Sequence, residues 1–333
     1  MKDNNISKRH HYIPQFILRK FLNDNNLLNY IDINNKKVEQ RNTKNLFMNI
    51  DMYSDEKNHN DDTAYIEKLL AKFEREFAND FFKILNEDRI VLKRKEVERI
   101  RIFLFLLSFR SAARKKQYED DNFDYSTRSF LSNYTEDFKE LWLKEVEELA
   151  KSRNIEDIAN SEVLDEIIKL DTQHYLQSYY MTIAEARGAE FILTDIYPTC
   201  ECFYLHENTK IYMHIFFPLS PTRILILNHI MFKNDSKDIF LDEMKNSSCI
   251  TGDLLKIPMP TYVNGFAMDK DDYYLYKVVK VYAKDVEYIN SLFLNEAKKG
   301  IVYRNKDKIK SSIEYYKKLS FSKRIYDPIE LDD

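Results

Sequence analysis

Residues 188–228 read GAEFILTDIYPTCECFYLHENTKIYMHIFFPLSPTRILILN, and this stretch decides the fold class. Short runs rich in β-branched and aromatic residues (Phe191–Leu193, Cys202–Leu205, Ile211–Phe217 and Ile224–Asn228) alternate with turn residues, the pattern of strands joined by brief connections. Parallel strands need crossovers of a dozen or more residues, so connections this short predict a mainly antiparallel sheet between Gly188 and Tyr282. A further strand is predicted over Tyr274–Tyr282, a helix over 284–299, a strand at GIVYR from Gly300, and a last helix near Lys306–Leu319.

Upstream of Gly188 the period changes from two to that of a helix. Ile66, Leu69, Leu70, Phe73, Phe77 and Phe81 recur at helical spacing over 64–86. The stretch 93–118 is apolar all round at its middle (IFLFLLSF, Ile102–Phe109), which predicts one central buried helix. Helices are also predicted over 135–152 and from Ser161 to Arg187, the latter ended by Gly188. Near the start, RHHYIPQFILRKFL (9–22) suits a short helix with Pro14 in its first turn. LLNYIDI and KVEQR flank Asn34-Asn35 as a hairpin whose turn would place an Asn at positive φ. The whole is an α+β chain: a mainly helical region 1–187 with a small N-terminal hairpin, and an α+β region 188–333. The two are expected to form one compact unit with a shared cleft.

Composition excludes some classes of function. With four glycines, Gly188, Gly252, Gly265 and Gly300, neither GxGxxG nor GxxxxGK[ST] can be written, which removes nucleotide enzymes of the glycine-loop kinds. Three cysteines, Cys200, Cys202 and Cys249, do not make a disulfide framework and fit a reducing cytoplasm. The N-terminus lacks an apolar leader, and the run Ile102–Phe109 is too short to span a bilayer. The net charge of −4 hides segregation. Residues 93–116 carry nine Lys/Arg against two Glu, 117–171 sixteen acids against six bases, and 298–324 ten bases against two acids. Such blocks either pair with one another or leave a basic face for a polyanion.

The opening HHYIPQFILRKF resembles the H-Y-[IV]-P-Q-[FY]-x-L-[RK]-x-F start of the bacterial domain-of-unknown-function family 4238. Ile66-Glu67 with Phe73-Glu74 is similar to its two-glutamate helix, and SFRSAAR to its Arg-bearing helix end. FILTDIYP is similar to its F-I-T-S-D-N-P segment, Phe217-Pro218-Leu219-Ser220-Pro221 to its P-L-S-P element, and Ile289-Asn290 with Glu296-Ala297 to its C-terminal helix. Where the family pattern has Ser-Asp-Asn-Pro, this chain has Thr194-Asp195-Ile196-Tyr197-Pro198. The resemblance implies an architecture and a set of positions, not a reaction.

The polar residues set beside apolar stripes form the candidate site: His11, Arg19, Glu67, Glu74, Arg110 and Asp195 as catalytic groups, with His10, Gln15, Arg114 and Asn290 binding substrate. His11, Gln15 and Arg19 are spaced by four, so on a helix they share a face able to hold phosphate. The competing reading tethers the N-terminus to the core through the same side chains. Arg110, one residue past an apolar run, needs a carboxylate or an anionic ligand, and Glu67 and Glu74, two turns apart, are its internal candidates. Those carboxylates with Asp195 are alternatively ligands for a divalent ion such as Mg2+. Cys200, Cys202 and His206 on one strand face lack the spacing of a structural zinc site. Two functions follow. One is a nucleic-acid-directed phosphodiesterase, RNA favoured, in a bacterial defence or toxin setting. The other is a non-catalytic module binding a ligand, a protein partner or a second copy, with no membrane role.

Overall fold

The structure is a computed structural model that describes residues 9–206, 209–233, 239–263, 269 and 271–322. It is α+β, as the sequence predicts. Its contacts divide it into two units that interleave along the chain: residues 1–14, 46–82 and 93–177 make the first, and 15–45, 83–92 and 178–333 the second. By contacts a boundary falls at 177/178, ahead of the change of pattern at 187/188, and two earlier segments belong to the second unit.

The first unit is helical apart from the short antiparallel pair Arg9–His11 and Met48–Ile50. The helix Tyr65–Asn86 buries Ile66, Leu70, Phe73, Phe77, Phe81 and Ile84, the stripe its periodicity demands. Phe77 stacks on Phe103 at 4.0 Å between ring centroids, and Phe73 meets Phe103 edge-on. Phe103 belongs to the helix Arg94–Phe109, in which every residue from Ile102 to Leu107 is buried. This helix is not continuous to 118. It ends at Arg110, and Ser111 caps a second helix, Ala112–Glu119, by accepting a hydrogen bond from the Arg114 backbone N–H at 3.2 Å. A serine that can satisfy an orphan donor competes with helix continuation, and here it wins. Phe138–Lys151 and Glu166–Ser178 complete the larger helices, with Trp142 fully buried.

The second unit is built on a five-stranded sheet in the order Val279–Tyr282, Tyr179–Arg187, Arg223–His229, Thr209–Pro218, Thr199–His206. All its pairings are antiparallel except Val279–Tyr282 against Tyr179–Arg187, which is parallel. The strand Tyr179–Arg187 replaces the last third of the helix predicted to end at Arg187. Its first six residues are all buried, so it shows no period-two alternation and cannot be told from a buried helix by pattern. The predicted strand 274–282 is two strands, Tyr273–Lys277 and Val279–Tyr282, parted at Val278, whose N–H donates to the Asp88 carbonyl at 3.0 Å.

A four-stranded sheet in the order Lys37–Arg41, Leu28–Asp32, Gly300–Tyr303, Leu193–Thr194 contains the predicted hairpin. Its left-handed residue is Lys36 (φ 55°), not an Asn. Asn35 instead donates its backbone and side-chain N–H groups to Asp32. Gly300 is required by close approach: a Cβ there would meet the Tyr30 hydroxyl at 2.1 Å. The helices Ala283–Glu296 and Lys306–Lys317 pack on each other. No helix among the described residues is long and apolar enough to cross a membrane.

Candidate functional site

The helix Arg94–Phe109 must satisfy its last carbonyls, and the residues that do so build the site in the first unit. Trp142 Nε1 donates to the Phe109 carbonyl at 3.3 Å and the Tyr53 hydroxyl to the Arg110 carbonyl at 3.2 Å. The rings of Tyr53 and Trp142 stack at 5.8 Å. His10 also stacks with Tyr53, with ring centroids 5.6 Å apart and planes 8° from parallel. His10 is 1% exposed, and its Nδ1 accepts the Tyr53 backbone N–H at 2.9 Å, which fixes it as a tether of the N-terminal strand.

Arg110 is also 1% exposed, and its Nη2 donates to Glu74 Oε1 at 2.6 Å. Burial works most strongly against its charge, but the Glu74 carboxylate together with Tyr53 and Glu67 outweighs this and keeps the guanidinium protonated. Arg110 Nε is buried with no hydrogen-bond partner among the described residues. Two turns before Glu74, the half-buried Glu67 has no hydrogen bond or ion pair there either. Burial pushes its carboxyl up to about 7, with the Arg110 guanidinium opposing and the Glu74 charge adding to the shift. A carboxyl poised between its two forms near neutral pH, beside a fixed cation and a tyrosine hydroxyl, is suited to accept or give up a proton.

Three of the six expected catalytic residues, Glu67, Glu74 and Arg110, are thus brought together. His11 lies in the same unit but in the strand Arg9–His11, so it shares no helix face with Gln15 and Arg19. Those two lie in the second unit, where Arg19 Nη2 donates to Gln15 Oε1 at 3.1 Å at an exposed position. Asp195, also in the second unit, is a backbone anchor: its Oδ1 accepts from the N–H groups of Lys298, Lys299 and Gly300 at 2.9, 2.8 and 3.2 Å. Asp195 is held this way and Glu74 by Arg110, so of the three carboxylates expected to hold Mg2+ only Glu67 is without a hydrogen-bond partner among the described residues. Asn290, fully buried, bridges the Ile192 N–H, the Glu190 carbonyl and Ser312 Oγ. Arg114, no longer on the helix of Arg110, bonds Gln117 and lies over the rings of Phe109 and Tyr118.

At least four of the nine cations in the basic block 93–116 are paired with carboxylates of their own unit. Arg99 pairs with Asp80, Arg110 with Glu74, Lys115 with Glu119 and Lys116 with Asp120, while Arg101 donates to the Tyr175 carbonyl. Only Glu119 and Asp120 among these carboxylates belong to the acidic block 117–171; Asp80 and Glu74 come from the helix Tyr65–Asn86.

In the second unit sequence reasoning missed a buried network. His214, fully buried, has Nδ1 at 2.7 Å from Asn228 Oδ1 and Nε2 at 2.9 Å from Ser248 Oγ. Asn228 Nδ2 donates to Thr182 Oγ1 and the Leu254 carbonyl. Glu201 accepts from the Cys249 N–H at 3.1 Å and the Tyr288 hydroxyl at 3.0 Å. Burial pulls His214 down to about 3, so it stays neutral. Burial likewise pushes the Cys200 thiol up to about 12, far from a reactive thiolate. The His206 side chain lies outside the described residues. Sequence signals for this network are slight, because its members come from separate strands and loops and look like ordinary core positions.

No curated protein and no solved structure matches the chain. The family model described as "Protein of unknown function (DUF4238)" matches residues 9–307, nearly the full length, and the chain belongs to that family.

Proposed function

We propose that the Tyr53–Glu67–Glu74–Arg110 cluster is the proton-transfer centre of a phosphodiesterase-like activity on nucleic acid, RNA before DNA. The observation that carries the reading is the Glu67 carboxyl, half-buried, without a partner among the described residues and shifted to about 7. A group half protonated at neutral pH can activate a water in one step and protonate a leaving oxygen in another. Arg110 acts here as a positioning residue: buried and held by Glu74, it fixes the field around Glu67 rather than clamping the polymer backbone.

A second reading, a non-catalytic binding module in which the cluster is structural, is favoured by one observation. Of the nine cations of 93–116 that would hold a polyanion, Arg99, Arg110, Lys115 and Lys116 are paired with carboxylates of the same unit.

The two separate on incubation of the purified chain with total RNA, single-stranded DNA and plasmid, with and without Mg2+. The catalytic reading expects cleavage that Glu67→Gln abolishes while the variant keeps its fold by circular dichroism. Intact substrates under all conditions, or cleavage unchanged in Glu67→Gln, would overturn it in favour of the binding module.

A further inference from the structure

A second constellation in the first unit uses none of these residues. The loop after Tyr53 folds so that the His59 N–H donates to the Asp55 carbonyl at 3.1 Å, bringing both side chains to one side. The helix Phe138–Lys151 presents Glu147 to them: His59 Nε2 lies 2.8 Å from Glu147 Oε2. One donor atom each from Asp55, His59 and Glu147 falls within 4.8 Å of the other two. Donors bound to one ion at about 2.0–2.2 Å stand about 3–4 Å apart, so shortening the widest separation by about 1–2 Å would close the set.

Each ligand is oriented from outside the trio, as metal ligands are. Asn58 bonds both Asp55 oxygens, Oδ1 at 3.0 and 3.1 Å and Oδ2 at 2.9 Å. Tyr65 stacks on the His59 ring at 4.3 Å. Lys151 binds Glu147 Oε1 at 2.5 Å and leaves Oε2 for the ion. Asp55 is 3% exposed yet lines a cleft of about 330 Å3, whose carboxylates Asp51, Asp55, Glu56, Asp137 and Glu140 outnumber its two lysines. A mostly acidic cleft reaching a buried carboxylate concentrates cations and gives them a way in from solvent.

We propose that Asp55, His59 and Glu147 form a binding site for one divalent transition-metal ion, the borderline Zn2+ or the harder Mn2+ that also accepts an imidazole, with water completing the coordination. One imidazole with two carboxylates suits these ions, whereas Mg2+ and Ca2+ seek all-oxygen shells. The site is independent of the activity proposed for Glu67.

The test is calorimetric titration of the full chain, stripped with chelator, using ZnCl2 and MnCl2, with MgCl2 as control, alongside thermal melting. The expected result is one Zn2+ per chain, a melting temperature raised by several degrees, and at least a tenfold loss of affinity in both His59→Ala and Glu147→Gln. Absence of saturable Zn2+ and Mn2+ binding, or undiminished binding in folded His59→Ala, would overturn the proposal. Where His59→Ala fails to fold, X-ray absorption of the zinc-loaded wild type decides. A shell of one imidazole nitrogen with oxygens supports the site; sulfur ligands would assign the ion to the thiols of Cys200, Cys202 or Cys249 and overturn it.

Discussion

The two units each bury a polar network, and they solve the same problem in opposite ways. Around His214 the groups answer one another: Asn228 uses both ends of its amide, Ser248 meets the imidazole, and Glu201 accepts several donors. A network satisfied in this way rigidifies a core and leaves nothing for a ligand to engage. Around Arg110 the pairing stops short. Glu74 takes the guanidinium, Arg110 Nε is left over, and Glu67 stands beside them at the edge of solvent. Buried polar groups as such do not mark a functional site. What distinguishes the first unit is a titratable group left out of the pairing and shifted toward neutrality.

The sharpest way to break this contrast is Arg110→Ala, which strands the Glu74 carboxylate beside Glu67 and should cost about 3–5 kcal/mol in urea denaturation. Arg110→Lys keeps the charge without the fork and should recover part of that loss. In the other unit, Asn228→Ala orphans Thr182, the Leu254 carbonyl and His214 at once, for a loss of about 2–3 kcal/mol with no effect on any Glu67-dependent activity. A comparable loss of activity in folded Asn228→Ala would mean that the closed network also serves function.

Glu67 gives a smaller and pH-dependent effect. Its pKa rises from 4.5 to about 7 on folding, so the unfolded chain ionises first as pH increases. Stability from this group is undiminished below about pH 4.5 and falls until pH exceeds 7, by about 2 kcal/mol once residual solvent exposure is discounted. Glu67→Gln should flatten that slope and be the more stable protein at pH 8; urea midpoints across pH 4.5–8 read it directly. The smallest expected change is Ser111→Ala, which removes the cap of Ala112–Glu119 and should cost about 1 kcal/mol in the same assay.

Much of this was legible in the sequence where a period carried it. The stripe of Ile66, Leu70, Phe73 and Phe77 set Glu67 and Glu74 on neighbouring parts of one helix, and an arginine one residue beyond IFLFLLSF demanded a carboxylate. The break at Ser111 was hidden because Ala112-Ala113-Arg114 propagates a helix as well as it starts one. Tyr179–Arg187 was hidden because burial on both faces erases alternation. The roles of His10 and Asp195 rest on backbone N–H groups distant in sequence, which no side-chain pattern announces.

The central claim is the state of one carboxyl. Glutamate side chains labelled with 13C, assigned by difference against Glu67→Gln and followed by NMR from pH 3 to 9, report it directly. The Glu67 carboxyl resonance should move with a midpoint near 7. A midpoint near 4.5, the value of an ordinary solvated glutamate, would contradict it.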